Sequence, residues 1–277
     1  MIDGWRGNRE SVHIRFGGLY HAALETYDRL QADGKGHDEA LTAVVHQALL
    51  DTWDRTEASP GGAPWTTDHP GKTRENLIRS IIWYVDHFKE DPAETVILAN
   101  GKPAVELSFK MELDFGPQVG QPYLLCGHLD RVVNFIGGTY VMDRKTTGST
   151  ITSNWFDQYD PDNQMSLYSL AAKVIYRTPV RGVIIDGAQI AVGFSRFSRG
   201  FTYRTDGQLE EWLADTRHWL ALAEQYAITG HWPMNDKACH HYGGCVFRGV
   251  CSKSPEVRQK FLESDFHKAP WNPLVPR

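Results

Sequence analysis

Two β-branched strings, GHLDRVV at 127–133 and VMDRKTT at 141–147, are separated by a short stretch that contains Gly137-Gly138. Adjacent strands of this length with a glycine pair between them read as an antiparallel hairpin. With Gly137 and Gly138 as the two turn residues, Asp130 falls opposite Lys145 and Val132 opposite Asp143. Side chains alternate by two along a strand, so Asp130, Asp143 and Lys145 share one face. Two carboxylates on a partly buried face repel each other and lose hydration unless something neutralises them. A divalent cation does so, and hard oxygen donors suit Mg²⁺ or Mn²⁺, as one ion or two. Such a site can activate water beside a phosphate, with the lysine assisting the nucleophile or the developing charge. D-x-K alone also occurs in ordinary surface hairpins, so the flanking sequence decides its meaning.

The flanks supply an α/β order. Amphipathic spacing predicts helices over 17–32 and 36–56, then a turn-rich loop over 59–71 (SPGGAPWTTDHPG), then a helix carrying Leu77, Ile78, Ile81, Ile82, Val85 and Phe88. Strands are expected near 96–99, 103–114, 122–134 and 139–147, a helix over 161–176 and an apolar strand over 181–194. A helix over 207–229 presents Leu209, Trp212, Leu213, Trp219 and Leu220 on one face. The tail from Ser252, with Pro255, Pro270, Pro273 and Pro276, reads as irregular chain. The central order is helix, three strands, helix, strand.

These segments carry motifs that resemble the RecB-like branch of the PD-(D/E)XK nucleases, which includes CRISPR-associated and phage exonucleases. FGGLYHAALE is similar to that branch's first helix motif, on Gly17, His21 and Glu25. GHLDRV resembles its second motif on Asp130, MDRKT its D/E-x-K motif on Asp143 and Lys145, and QMSLY its glutamine–tyrosine helix motif on Gln164 and Tyr168. The resemblance implies a restriction-endonuclease-like αβββαβ core with a mixed sheet and helical additions. It also implies His21, Asp130 and Asp143 as metal ligands, and Asp130, Asp143, Lys145, Gln164 and Tyr168 as the catalytic set. Glu25 could bond the second nitrogen of His21 or face solvent; Glu106 could join the carboxylates or stand exposed on its strand. His128 shares the parity of Asp130, as does Cys126, which reads as a small buried hydrophobe.

Three of the four cysteines crowd into Cys239, Cys245 and Cys251. A disulfide framework scatters its pairs, so clustering favours a metal. By the same resemblance these three would bind a [4Fe–4S] cluster, whose fourth cysteine lies before the helix histidine in relatives. No cysteine precedes His21 here. His240 and His241 are then fourth-ligand candidates, a Zn²⁺ site is the alternative, and three metal-free thiols remain a third reading.

Length and charge limit the rest. The 277 residues give one nuclease domain over 1–230, with a helical insertion at about 36–92, and a Cys-containing region over 231–277 packed on it. A net charge of −5 argues against coating nucleic acid by bulk attraction but leaves room for a local basic groove. The segment FSRFSRGFTYR at 194–204 either stacks bases and grips phosphates or forms an ordinary aromatic hairpin. No apolar run is long enough to cross a membrane and the first residues lack a secretory pattern, so a cytoplasmic location is expected. The expected activity is a metal-dependent DNA exonuclease acting on single strands or ends in recombination, repair or phage DNA processing. Its partners would be DNA and a helicase, annealing or recombination protein. The alternatives are a structure-specific or nicking endonuclease, or a non-catalytic DNA-binding partner.

Overall fold

The computed structural model describes residues 4–8, 10–56, 59–116, 122–175, 179–269 and 272. The chain opens with β1 (Trp5–Gly7), α1 (Val12–Ala32), α2 (His37–Asp51), β2 (Trp53–Thr56), β3 (Ser59–Pro64) and α3 (Arg74–His87). Then come β4 (Glu94–Thr95), β5 (Val105–Glu112), β6 (Leu124–Phe135), β7 (Gly138–Thr147), α4 (Ser153–Asp157), α5 (Asn163–Ile175), β8 (Val180–Ile190) and β9 (Ser195–Thr202). A long α6 (Asp206–Thr229), α7 (Arg248–Cys251), α8 (Pro255–Asp265) and β10 (Phe266–Lys268) complete it.

Six strands form one mixed sheet in the order β4-β6-β7-β8-β9, with β5 also on β6. β6 and β7 are antiparallel, whereas β7 and β8 run parallel from Thr139↔Val180 to Thr147↔Gln189. Parallel neighbours need a crossover, and α4 and α5 provide it. Alternation along β8 separates two cores. Val183 and Ile185 pack with Leu129, Val132, Val141, Met165 and Ala171 on the α5 side. Ala188 and Ile190 pack with Phe16, Tyr20, Leu24, Val44, Leu77 and Ile81 of the first three helices. Each fully buried side chain of this size contributes about 1.5–3 kcal/mol. The sheet is thus covered by helices on both sides, the α/β core expected.

The hairpin turn differs from expectation. Phe135 pairs with Gly138, so Ile136 and Gly137 form the turn, with φ of 43° and 71°. A two-residue hairpin of this hand needs positive φ at both positions. Gly138 is held in the strand, where a Cβ would come within 2.6 Å of Arg181 Cδ. Val132 consequently faces Val141 and Arg131 faces Met142, a shift of two residues that leaves every side chain on its expected face.

Other differences have local causes. The second helix stops at Asp51, and Trp53–Thr56 pairs with Ser59–Pro64 as a hairpin inside the expected helical insertion. The tail is regular: Pro255 occupies the first turn of α8, where its missing N–H costs nothing. β10 then pairs with β1. Along α6 only Leu209 is buried, and Trp219 is 66% exposed, so its expected apolar face is largely open.

Candidate active site

Continuing the β6–β7 ladder one step beyond Arg131↔Met142 puts Asp130 across from Asp143. There the backbone N–H of Arg144 donates to Asp130 Oδ2 at 2.9 Å. The same oxygen lies 3.5 Å from Nδ1 of His21 on α1. Lys145 Nζ stands 2.7 Å from Asp143 Oδ2 and donates to Gln164 Oε1 at 2.7 Å. The Gln164 amide in turn donates to the Tyr168 hydroxyl at 2.9 Å. Gln164 and Tyr168 are one turn apart on α5, so both project from one face. The six candidate site residues thus fall into two contact runs, His21 with Asp130 and Asp143 with Lys145, Gln164 and Tyr168, carried by α1, β6, β7 and α5.

The electrostatics follow from burial. Asp143 is 2% exposed, and its Oδ2 has an ion pair but no hydrogen-bond donor. Burial, resisted by Lys145 and reinforced by Asp130 and Asp162, pushes its carboxyl up to about 7. Burial also holds the His21 imidazole below its usual value, against the pull of Asp130, and so favours the neutral, ligating form. The Tyr168 hydroxyl is raised well above its ordinary range by burial and the nearby carboxylates, and stays protonated.

The neighbouring carboxylates fall out differently. Glu106 lies on β5 between Val105↔Arg131 and Leu107↔Leu129, hence beside Asp130, with a positive φ of 49°. Its carboxylate is 4.0 Å from His128 Nδ1, which contacts Ser108 Oγ at 2.9 Å. Glu25 does not serve His21; it accepts from Arg29 at 2.8 Å. Asp162 was not singled out by the motifs. It accepts the Met165 N–H at 3.0 Å at the start of α5, and its signal is the turn-type PDN before the helix.

A metal fits the donor chemistry: two carboxylates, one of them buried, and an imidazole favoured neutral. No three His, Cys, Asp or Glu side chains among the described residues are already closed around one point. The same finding applies to Cys239, Cys245 and Cys251. They are free, half-buried or exposed, and not gathered as a cluster or zinc site, although the Cys245 N–H donates to the Cys239 carbonyl at 3.0 Å. His241 has no described side chain.

The 194–204 segment is chiefly structural. Arg199 pairs with Asp91 at 2.6 Å and Asp186 at 3.2 Å, and Arg204 is buried against Asp160 and Ser166. Phe197 packs on Tyr84, whereas Phe194, Phe201 and Tyr203 stay exposed, with Arg196 over the Phe194 ring. Charged residues inside the sheet form a network that the sequence reading missed. Arg144 donates to Asp28 at 2.6 Å, Arg131 lies 3.5 Å from Asp28, and Tyr84 donates to Asp186. Its only signal was an aspartate, Asp186, within the otherwise apolar GVIIDGAQI.

Fold and site together define an α/β protein whose central hairpin brings two acids and a lysine beside a glutamine–tyrosine helix. The family model of the PD-(D/E)XK nuclease superfamily matches residues 3–252, and the chain belongs to that superfamily, whose members are mostly metal-dependent nucleases. No curated protein matches the chain. No helix among the described residues is long and apolar enough to cross a membrane.

Proposed function

We propose that this chain is a metal-dependent deoxyribonuclease that digests DNA from ends, with Asp130, Asp143, Lys145, Gln164 and Tyr168 as its catalytic set and His21, Asp130 and Asp143 as its metal ligands. The observation that carries the reading is the pair of contact runs on the adjacent β6 and β7 strands, His21 with Asp130 and Asp143 through Lys145 and Gln164 to Tyr168. Mg²⁺ or Mn²⁺ bound by these ligands would supply Lewis-acid stabilisation of phosphate charge and a more acidic water. Asp143 must be ionised to act, and Lys145 beside it favours that form. The Lys145 ammonium also offers N–H donors to a negatively charged oxygen on phosphate. Gln164 fixes the direction of that ammonium, and Tyr168 fixes Gln164. The preference for ends rests on the motif resemblance.

The test is turnover of end-labelled linear DNA and of closed circular single strands with Mg²⁺ or Mn²⁺. Loss of linear DNA with circles intact is expected. Cut circles would reassign the protein as an endonuclease, and activity surviving both Asp130→Ala and Lys145→Ala would remove the catalytic assignment.

A further inference from the structure

Helix α1 carries a second feature on the stripe that bears His21. His13, Gly17 and His21 are spaced by four, so each neighbours the next along a stripe that drifts about 80° around the helix between the two histidines. Eight residues of helix put His13 about 12 Å from His21 along the axis. Nothing bulky separates them: a Cβ at Gly17 would meet only Thr146 Oγ1, at 3.6 Å, and one at Gly18 nothing within 4 Å. Thr146 directly follows Lys145, so this bare stretch of helix borders the candidate active site.

At the far end of the stripe three basic residues meet. The His13 and His69 rings contact edge to face at 5.0 Å. The Lys72 ammonium sits 4.3 Å above the Phe16 ring, and Lys72 is 5% exposed. Among the described residues that ammonium has neither an ion pair nor a side-chain hydrogen bond. The loop fixes His69: its Nδ1 accepts the Gly71 N–H at 3.1 Å, which leaves Nε2 carrying the proton as a donor. The charges acting on His13 are those of His69 and Lys72, both basic. A lysine held nine-tenths buried without a counter-charge carries a desolvation cost that an anion would relieve. Burial indeed lowers the Lys72 ammonium to about 8.

We propose that His13, His69 and Lys72 form a phosphate subsite that holds the DNA backbone along α1, away from the cleaved bond. This inference rests on the nuclease reading above and extends it. At 3.4 Å of rise per nucleotide, 12 Å corresponds to about three to four nucleotides on one strand. The contacts are to phosphate, so the subsite grips without reading sequence.

The test uses Lys72→Met and the surface pair His13→Gln/His69→Gln, both in an Asp143→Asn background, with a labelled DNA oligonucleotide in EDTA. Binding is followed by anisotropy between about 50 and 200 mM salt. Loss of the Lys72 charge lowers the slope of log affinity against log salt by about one and affinity at the lowest salt about tenfold, whereas loss of the uncharged histidine donors lowers affinity and leaves the slope as it was. With Asp143 restored, the loss of turnover is expected in KM rather than kcat. Unchanged slope and affinity in both variants would overturn the subsite, and a lower Tm in Lys72→Met alone would mark that residue as a packing element. If Lys72→Met does not fold, the histidine pair carries the test. Should the wild-type chain cleave no DNA with either metal while the slopes still change, the nuclease reading fails and the subsite stands.

Discussion

Replacing Arg144 with methionine isolates the ionic anchor within the strand that carries Asp143 and Lys145. The guanidinium is 3% exposed, donates to Asp28 at 2.6 Å, lies 3.9 Å from Asp186 and sits 5.8 Å from the Tyr84 ring. Methionine retains most of the stem but strands two buried carboxylates. Breaking one side of such a pair costs about 3–5 kcal/mol. Arg131 remains 3.5 Å from Asp28 and Arg199 remains 3.2 Å from Asp186, so the lower end, about 3 kcal/mol, is expected. For a chain of this size that is a fall in Tm of about 6–12 °C. Asp28→Asn/Arg144→Met removes one of the two carboxylates together with the guanidinium and should recover about half of the loss, because Asp186 still lacks its Arg144 partner. Urea unfolding of the parent, both single variants and the double variant gives the coupling energy directly. A single-variant loss below about 1 kcal/mol, or a cycle that is additive, would refute the reasoning. Activity should suffer too, since the Arg144 backbone holds Asp130 while its side chain holds α1, two turns beyond His21.

Further expectations concern the site and the turn. In metal-free protein the raised Asp143 carboxyl favours folding while protonated, so stability should fall as pH rises from about 4 to about 7. Asp143→Asn should flatten that slope in urea titrations at stepped pH. Mn²⁺ at a hundredfold excess over its Kd should stabilise the wild type by about 2.7 kcal/mol, and Asp143→Asn by much less, read as shifts in Tm. Tyr168→Phe leaves the Gln164 amide without its acceptor and should cost about 1 kcal/mol along with a measurable loss of turnover. Ile136, 77% exposed with φ of 43°, is a poor residue for its turn. Ile136→Asn should raise stability by about 1 kcal/mol in urea and leave cleavage unaltered.

The runs of β-branched and apolar residues made the sheet legible, because strands covered on both faces, as β8 is, read as near-continuous apolar stretches. Parity alone brought Asp130, Asp143 and Lys145 together even though the turn was assigned one residue late, since correcting it moves the register by two. His21 needed the motif resemblance: no local pattern says which strand residue a helix will meet. Glu25 shows the opposite outcome, where an equally plausible polar residue turned to a neighbour on its own helix. The Arg144–Asp28–Asp186 network was invisible because charged residues in strands ordinarily mark a wet face, and only three-dimensional pairing makes them tolerable inside. The β2–β3 hairpin was hidden by Pro60, Gly61 and Gly62, which argue for a loop.

The parallel union of β7 with β8 joins residues about forty positions apart, across the whole crossover carrying α5. Closing so large a loop costs entropy before any distant contact compensates, so this pairing belongs to the slow part of folding. The β6–β7 hairpin, joined by a two-residue turn, can form early and bring its acids together on its own. Gln164 and Tyr168 join only when the crossover docks. An incompletely folded chain would thus display the acids without the α5 residues that contact Lys145, and the candidate site would be complete only after the last cooperative step.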